Sequence, residues 1–323
     1  MQPQYSQLRY RTTLAVFCLI ITVASSSLAS PPGFQWSGQD DHIELEENGR
    51  PVFSFRLAPK SLDSKFTRAN YVHPLYDPDG EIVTEDFPPD HRHHRGVFWA
   101  WHQVRLNGTQ VCDSWNCKDI QWLPPTESDS WLTKQAGTKS AKLTVVRDWV
   151  APDPQAKNES LRVLRETVTI TAWPLRESTR ILDFDLRFQA LIKGVTIGGS
   201  ENTKGYGGFS PRIRLAEDVI FQGRKGVLKP QPQAAIKGGP WVDIVRTLDG
   251  KKKGVAIMVH PSHPNFPLKW ILRPKGSMQN AQWPGRKPVP VSTQTPTQLR
   301  YRLVLHNREL NRDELNALWK EYR

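Results

Sequence analysis

The sequence predicts an all-β protein, a large antiparallel β-sandwich that ends in a short C-terminal α-helix. Apolar and polar residues alternate in many short runs, for example over residues 182–188 and 299–305, as expected for half-buried strands. Two pairs, Asn48-Gly49 and Asp249-Gly250, separate such runs, and each is a strong signal for a two-residue β-hairpin. Many short strands with turns between them are typical of a sandwich or a barrel.

The individual strands follow from these patterns. Residues 42–46 and 52–57 flank the first hairpin turn, and residues 242–246 and 254–259 flank the second. Residues 143–150 and 161–172 form a further pair of apolar runs. We expect these two runs to lie next to each other in one sheet.

One helix is predicted, over the last residues of the chain. Asn311 can accept hydrogen bonds at its start, and Glu314 follows three residues later, which is the pattern of a capping box. Its apolar face consists of Leu315, Leu318, Trp319 and Tyr322.

The first 29 residues are predicted to be a signal peptide, and residues 30–323 a single β-sandwich domain. Arg9 and Arg11 precede an apolar run over 12–23, and Ala29 suits a cleavage site. An uncleaved membrane anchor is the alternative, although the run is shorter than the roughly 20 residues of a spanning helix. We therefore expect a periplasmic or secreted protein without a membrane span in the mature chain.

Export bears on the cysteines and on the charge. Cys112 and Cys117 are close in sequence, and an oxidising compartment favours a disulfide between them; two free thiols are the alternative.

The net charge is +12. Because an exported protein meets no nucleic acid, acidic polysaccharides, anionic cell-wall polymers and membrane surfaces remain as anionic partners.

Residues 71–96 are the densest group of titratable side chains. The segment holds four histidines and six carboxylates: His73, His91, His93, His94, Asp77, Asp79, Glu81, Glu85, Asp86 and Asp90. Imidazoles and carboxylates together support acid–base catalysis or metal binding. A connection this long inside a domain is usually functional or disordered; tyrosines, a phenylalanine and prolines favour an ordered site loop.

The cofactor is unknown, and a divalent metal is possible. If the strand that begins at Val97 extends backwards, His91 and His93 share one face and His94 takes the other. A His-x-His pair is a common start of a metal site, with His73, Glu85, Asp90 or His260 as further ligands. Without a metal, an imidazole would act as the acid and a carboxylate such as Glu85 as the base. A surface loop without a site is the third reading.

Two further polar loops interrupt the strand pattern. Residues 198–214 present Tyr206 and Arg212, and residues 260–270 present His260 and Trp270. We expect all three loops to converge on one end of the sandwich. Trp99 and Trp101 are predicted to lie in the core. Trp115 and Trp270 are predicted to be exposed, where indole faces stack on sugars.

These patterns give a set of candidate site residues. The predicted catalytic residues are His73, Glu85, Asp90, His93 and His94. The predicted substrate-binding residues are Arg95, Tyr206, Arg212, His260 and Trp270.

The runs 73–80 and 86–101 resemble a bacterial family labelled "methane oxygenase PmoA". The resemblance continues through residues 204–209, 260–264 and 300–306 and spans nearly all of the mature chain; His263 stands where that family favours asparagine. It implies a β-sandwich, exported or cytoplasmic, from a family found among genes for sugar breakdown. A fainter similarity to galactose-mutarotase-like sandwiches implies a histidine and a carboxylate acting on a sugar.

The predicted function is an exported carbohydrate-active enzyme. It would use a histidine and carboxylate cluster to hydrolyse, eliminate or epimerise a sugar, with an acidic glycan as one candidate substrate. The alternatives are a non-catalytic carbohydrate-binding protein that uses the same cleft, a metal-dependent oxygenase as the family label suggests, and a structural envelope protein.

Overall fold

Two large antiparallel sheets pack face to face in the computed structural model, which describes Met1 and residues 32–128 and 130–323. The strands are β1 (Phe34–Gln39), β2 (His42–Glu47), β3 (Arg50–Arg56), β4 (Lys60–Leu62), β5 (Lys65–Arg68), β6 (Tyr71–Leu75), β7 (Val97–Ala100), β8 (Gln103–Leu106), β9 (Thr109–Cys112), β10 (Gln121–Leu123), β11 (Leu132–Ala136), β12 (Ala141–Pro152), β13 (Ser160–Ala172), β14 (Thr179–Ala190), β15 (Val195–Gly198), β16 (Gly208–Pro211), β17 (Ile220–Gly223), β18 (Gly226–Leu228), β19 (Ile236–Lys237), β20 (Trp241–Leu248), β21 (Lys251–Val259), β22 (Lys269–Ile271), β23 (Asn280–Gln282), β24 (Val289–Pro290) and β25 (Thr297–His306). The helix is α1 (Arg312–Tyr322).

The larger sheet has ten strands in the order β10-β12-β13-β14-β25-β21-β20-β17-β18, with β11 paired to β12. The smaller has six, in the order β1-β2-β3-β6-β7-β16. Smaller sheets are formed by β24-β15-β8-β9, by β19-β22-β23 and by β4-β5. The predicted all-β sandwich is confirmed, and so is the pairing of residues 143–150 with 161–172, which lie in β12 and β13.

Both predicted hairpins are present. Asn48 and Gly49 join β2 to β3 with φ of 51° and 74°, and Asp249 and Gly250 join β20 to β21 with φ of 50° and 74°. Two successive residues with positive φ are what a type I′ turn requires, and its twist matches that of the flanking strands.

The core lies between the two large sheets. Trp99 of the six-stranded sheet contacts Phe184 of the ten-stranded sheet with ring centroids 6.5 Å apart, and Trp101 contacts Phe188 at 4.9 Å. The prediction that both tryptophans are core residues is confirmed, since each is at most 2% exposed. Edge-to-face contacts of this kind stabilise the fold beyond what the burial of the large apolar side chains contributes.

A fully buried carboxylate also lies between the sheets. Glu166 of β13 accepts hydrogen bonds at Oε1 from Asn70 Nδ2 (2.5 Å) and Trp99 Nε1, and at Oε2 from Trp149 Nε1 (2.5 Å). Burial raises its pKa to about 7, although the three donors and Arg68 oppose this shift. Glu166 therefore connects both layers through hydrogen bonds.

The C-terminal helix begins as predicted. The side chain of Asn311 accepts from the backbone N–H groups of Asp313 and Glu314, and the Glu314 carboxylate accepts from the Asn311 N–H, which completes the capping box. Its buried side chains, Leu315, Trp319 and Tyr322, belong to a separate apolar cluster with Ala256, Met258 and Val304 of the ten-stranded sheet. Those strand residues alternate with the ones that face the main core, so α1 packs on the outer face of this sheet.

The predicted signal peptide, residues 1–29, lies outside the described residues apart from Met1. Residues Pro32–Arg323 form one unit. Within the described ranges, no helix has both the length and the apolar character needed to cross a membrane.

The predicted disulfide between Cys112 and Cys117 is absent, because both cysteines are free. Cys112 ends β9 with its side chain in the core. Cys117 lies, partly exposed and with φ of 57°, in the turn that the bridge between Asp113 and Lys118 closes. The alternation of strand β9 directs Cys112 inwards while the turn leaves Cys117 at the surface, so proximity in sequence did not bring the two sulfurs together.

Candidate functional site

The histidine-rich segment follows a defined path, as predicted for a site loop. It begins as β6, and isolated bridges then pair Tyr76 with Ile82, Thr84 with Ile213 and Asp86 with Arg95. The backbone of Glu85 donates to the carbonyl of Arg212 (3.0 Å), and Arg212 in turn donates to that of Gly96 (2.7 Å). The segment is therefore held against the 198–214 loop by backbone hydrogen bonds.

Residues 88–94 form turns and not the backward extension of a strand. The N–H of His91 donates to Pro88 O (3.1 Å), and that of His94 donates to His91 O (2.9 Å). The rings of His91 and His94 consequently stack at 4.7 Å, and His93 meets His94 edge-on at 4.6 Å. The prediction that His91 and His93 share a strand face opposite His94 was wrong, because the turn replaces strand alternation.

This arrangement does not support the predicted metal pair. In the part of the chain that the structure describes, no three histidine, cysteine, aspartate or glutamate side chains are grouped so that they could hold a metal ion. The His91 Nδ1 atom is instead 2.9 Å from Asp90 Oδ2.

Two of the nine histidines differ from the others in their hydrogen bonding. Seven imidazoles bond a protein group: His42 with Asp41, His73 with Thr84, His91 with Asp90, His102 with Asp113, His260 with Ser262, His263 with Tyr301, and His306 with Asp243. The imidazoles of His93 and His94 have no such partner among the described residues, and Nδ1 of His94 is buried without one. The nitrogens of His93 are therefore available to a ligand.

Both of these imidazoles are neutral at neutral pH. Burial lowers the pKa of His93 to about 4, and the nearby charges of His91, Arg68 and His102 add to this effect. Burial also holds the pKa of His94 far below its usual range. A neutral imidazole can accept a proton or a hydrogen bond.

Trp115 is the centre of the site. Its ring centroid is 6.5 Å from that of His93, 5.8 Å from His94, 5.4 Å from His102 and 4.8 Å from Tyr206. We call His91, His93, His94, His102, Trp115 and Tyr206 the Trp115 cluster. Trp115 is buried, with 1% of its surface exposed, so the prediction of an exposed tryptophan was wrong; the surrounding rings cover it.

A second imidazole that contacts Trp115, that of His102, is oriented by a carboxylate. His102 Nδ1 is 3.0 Å from Asp113 Oδ2, and Asn116 donates to the same oxygen at 2.7 Å. Burial would raise the pKa of Asp113, but the hydrogen bond and charge of His102 bring it below its usual value. Since the carboxylate can only accept, it fixes the proton of His102 on Nδ1. Sequence reasoning missed His102, Asp113 and the central role of Trp115.

Arg212 connects the two loops. Its Nε donates to Glu85 Oε2 (2.6 Å), and its two terminal nitrogens donate to the two oxygens of Asp90 (2.8 and 3.1 Å). Burial would raise the pKa of Asp90, but His91 and Arg212 lower it below its usual value. Arg212 is itself buried, so it positions Asp90, which in turn holds His91 against His94.

Tyr206 and His102 of the Trp115 cluster also line a polar cleft. The cleft has a volume of about 590 Å³ and is lined by His102, Gln103, Arg105, Gln110, Val111, Cys112, Asp113, Lys118, Asp119, Ser200, Glu201, Asn202 and Tyr206. Burial raises the pKa of Tyr206 above its usual value, so the phenol stays protonated at neutral pH. The ring of Tyr206 also meets His102 at 5.1 Å.

Of the predicted site residues, Glu85, Asp90, His93, His94, Tyr206 and Arg212 are brought together directly or through the Trp115 cluster. His73 bonds Thr84 and is only partly exposed. Arg95 is fully buried, where it pairs with Asp86 and stacks on Phe87 at 3.5 Å. Its guanidinium therefore stabilises the loop from inside.

His260 and Trp270 of the third loop do not join the site, contrary to the prediction. His260 contacts Tyr322 of α1 at 5.2 Å and Arg300 of β25 at 2.8 Å, on the outer face of the ten-stranded sheet. Trp270 is fully buried, and its Nε1 donates to Gly239 O (3.0 Å). The prediction failed because β22 pairs with β19 and β23, which turns the Trp270 side chain inwards.

Comparison with known proteins gives a family but no function. A family model described as "Family of unknown function (DUF6807)" matches residues 42–320. No curated protein matches the chain.

Solved structures give weak likenesses. One is a heparan sulfate lyase (a HepC mutant) from Pedobacter heparinus, with a TM-score of 0.38, 9% identity and coverage of 87% of this chain and 36% of that chain. The chain thus spans about a third of the length of that protein. Another is a candidate mutarotase (YeaD) from Salmonella typhimurium, with a TM-score of 0.35, 10% identity and coverage of 86% and 95%. Neither likeness bears on what this chain does.

Proposed function

This chain belongs to the family of unknown function DUF6807, and we propose that it is a carbohydrate-active enzyme that uses acid–base catalysis at the Trp115 cluster. The observation that carries the proposal is the state of His93. Its imidazole is neutral and half-buried and bonds no protein group in the described part of the chain, yet it lies within a group of oriented titratable side chains. Such perturbed, unpartnered groups in a cluster are typical of functional sites.

His93 would serve as the base. A pKa of about 4 keeps it unprotonated at neutral pH, and a negative charge on a bound substrate would raise its proton affinity. His94 packs edge-on against it, and the stack of His91 on His94 fixes the orientation of both rings. A base held by its neighbours loses little entropy when the substrate arrives.

Tyr206 would serve as the acid. Its phenol is protonated at neutral pH because burial raises its pKa. Like His93, it contacts the ring of Trp115, so the proposed base and the proposed acid are held by the same side chain. His102, with its proton fixed by Asp113, lies beside Tyr206 and would share in proton transfer.

The geometry favours elimination or epimerisation over hydrolysis by paired carboxylates. Glu85 and Asp90 are both engaged by the buried Arg212, so neither is free to attack or to protonate a glycosidic bond. In an elimination, His93 would take a proton from a ring carbon, and Tyr206 would give one to the oxygen that leaves the neighbouring carbon. One C–H and one C–O bond break, a C=C bond forms, and solvent returns the proton from His93 to Tyr206.

A carbohydrate suits the cleft because its walls are rich in hydrogen-bonding groups. Gln103, Gln110, Ser200 and Asn202 offer amides and hydroxyls, and Tyr206 offers an aromatic ring. Sugars bind through hydroxyl hydrogen bonds and through contact of their C–H faces with aromatic rings.

The test is a screen of polysaccharides with the wild type and three variants: His93→Ala, Tyr206→Phe and, as matched control, His260→Ala. Product is followed by new reducing ends and by the ultraviolet absorbance of an unsaturated sugar. We expect the first two to lower turnover by about 10²-fold or more with the substrate Kd changed less than about threefold, and the control to have no effect. A wild type that binds sugars without turnover would make the protein a lectin and refute the proposal. A loss in His260→Ala equal to that in His93→Ala would refute the site.

A further inference from the structure

Two clefts on the surface beside the Trp115 cluster adjoin each other. The first has a volume of about 580 Å³ and the second about 460 Å³, and both are lined by Pro267, Leu268 and Lys269. We call the two together the basic groove, because six exposed cations line it: Arg224, Lys225, Lys237, Lys269, Arg286 and Lys287.

Among the residues that the structure describes, no aspartate or glutamate lines either cleft. The chain as a whole carries 44 lysines and arginines against 32 acidic residues, so the lack of acids is a local feature of this groove. None of the six cations takes part in an ion pair within the described ranges, whereas elsewhere even the exposed Lys251 and Lys252 face aspartates. Unpaired cations in a concave surface focus a positive potential on whatever enters.

The groove adjoins the candidate site. Residues 200–206 border both the polar cleft, through Ser200 and Tyr206, and the first cleft of the groove, through Thr203. Arg286 Nε donates to Glu201 O (2.9 Å) and so ties the groove wall to this segment. Ala235, which lines the groove, packs against the apolar cluster that contains Trp115.

We propose that the basic groove binds an anionic polysaccharide, whose sulfate or carboxylate groups pair with these cations while one sugar occupies the Trp115 cluster. The link to that cluster rests on the proposed function. A chain is the occupant that the shape favours, since two connected concave clefts accept a strand, whereas a membrane surface meets a flat or convex face. The apolar floor of Pro267 and Leu268 suits the C–H faces of sugar rings.

The test measures binding of the whole mature protein to heparin, with uncharged dextran as the comparison, at several salt concentrations. The groove variant carries Lys237→Ser, Lys269→Ser and Lys287→Ser. The matched control removes three charges elsewhere, with Lys134→Ser, Lys139→Ser and Lys157→Ser. These exposed residues lie in β11, in the β11–β12 connection and in the β12–β13 connection, respectively. Thermal melts check that both variants fold.

We expect the wild type to bind heparin but not dextran, with an affinity that falls as salt rises. At about 0.1 M salt the groove variant should lose about tenfold or more in affinity and show a shallower salt dependence, and the control variant less than about twofold. Equal losses in both triple variants, equal binding of dextran, or no binding of heparin would overturn the proposal. So would equal, groove-dependent binding of phosphatidylglycerol vesicles or of single-stranded DNA.

His93→Ala separates this proposal from the catalytic one. It removes no groove cation, so it should keep the salt dependence of heparin binding and the preference for heparin over dextran, with an affinity within about threefold of the wild type. If the groove variant loses binding while His93→Ala keeps full turnover, the groove stands and the proposed catalysis fails. If His93→Ala abolishes turnover on a substrate that the groove variant still binds and turns over normally, the groove proposal fails alone.

Discussion

Replacing Glu166 by glutamine should change the stability of the protein by an amount that depends on pH. The carboxylate lies fully buried between the sheets and accepts three N–H donors. A glutamine can accept at one atom only, so it must turn its NH₂ group towards at least one of those donors. Losing one buried hydrogen bond in this way costs about 1–3 kcal/mol.

The charge of Glu166 acts in the opposite direction. Its pKa is raised from 4.5 in the unfolded chain to about 7 in the folded one, so the folded protein binds more protons between these values. The free energy of unfolding therefore falls as pH rises through this window, by about 3 kcal/mol in all, at about 1.4 kcal/mol per pKa unit. Glutamine carries no charge, and the variant escapes this loss. We expect Glu166→Gln to be less stable than the wild type at about pH 5 and as stable or more stable at about pH 8.5.

Urea denaturation at both pH values measures this difference, with tryptophan fluorescence as the signal. Other titrating groups are common to both proteins and cancel. Glu166→Leu is the companion variant: it leaves all three donors without acceptors and should lower the free energy of unfolding by about 3 kcal/mol or more at both pH values. If the difference between wild type and Glu166→Gln is the same at both pH values, Glu166 does not titrate between them and the reasoning is refuted.

Three further predictions concern the site and the cysteines. His93 should titrate near pH 4 by NMR, since burial and neighbouring positive charge disfavour its protonated form; a midpoint near the usual 6.5 would contradict the site geometry. Arg212→Lys should lower the free energy of unfolding by about 3 kcal/mol in urea titrations, because a lysine cannot bond both carboxylates in the same fork geometry; a change below about 1 kcal/mol would show that the fork is not needed. Cys117 should react with a thiol reagent well before Cys112, whose pKa is raised by burial; peptide mass spectrometry measures the rates, and an unreactive pair joined by a disulfide would refute this.

The fold was more predictable than the site because its signals are local. The hairpins at Asn48-Gly49 and Asp249-Gly250 and the cap at Asn311 depend on neighbouring residues only, and all three are present. The Trp115 cluster depends on contacts across the chain: Tyr206 reaches it from about ninety positions away in sequence. No periodicity could reveal that contact.

The histidine run illustrates the same limit. Two backbone hydrogen bonds fold residues 88–94 into turns. Strand alternation applies only from Val97 onwards, so it predicted the wrong faces for the three histidines in these turns. His102 could have been noticed, since it directly follows Trp101, just beyond the strand that contains Trp99. Without the position of Asp113, however, nothing distinguished it from the other histidines.

The low pKa of His93 and the basic groove are explained together if the ligand is anionic. In the free protein, burial and then the charges of His91, Arg68 and His102 oppose protonation of His93, so its proton affinity is too low for efficient proton abstraction at neutral pH. An anionic chain that reaches from the groove into the cluster would offset this positive charge and raise the pKa of His93. The NMR titration of His93 should therefore move to higher pH when heparin is added to the wild type, and should not move in the groove variant. A shift of equal size in both proteins would mean that the anion reaches His93 without the groove, and no shift in either would mean that the groove and the cluster are electrostatically separate.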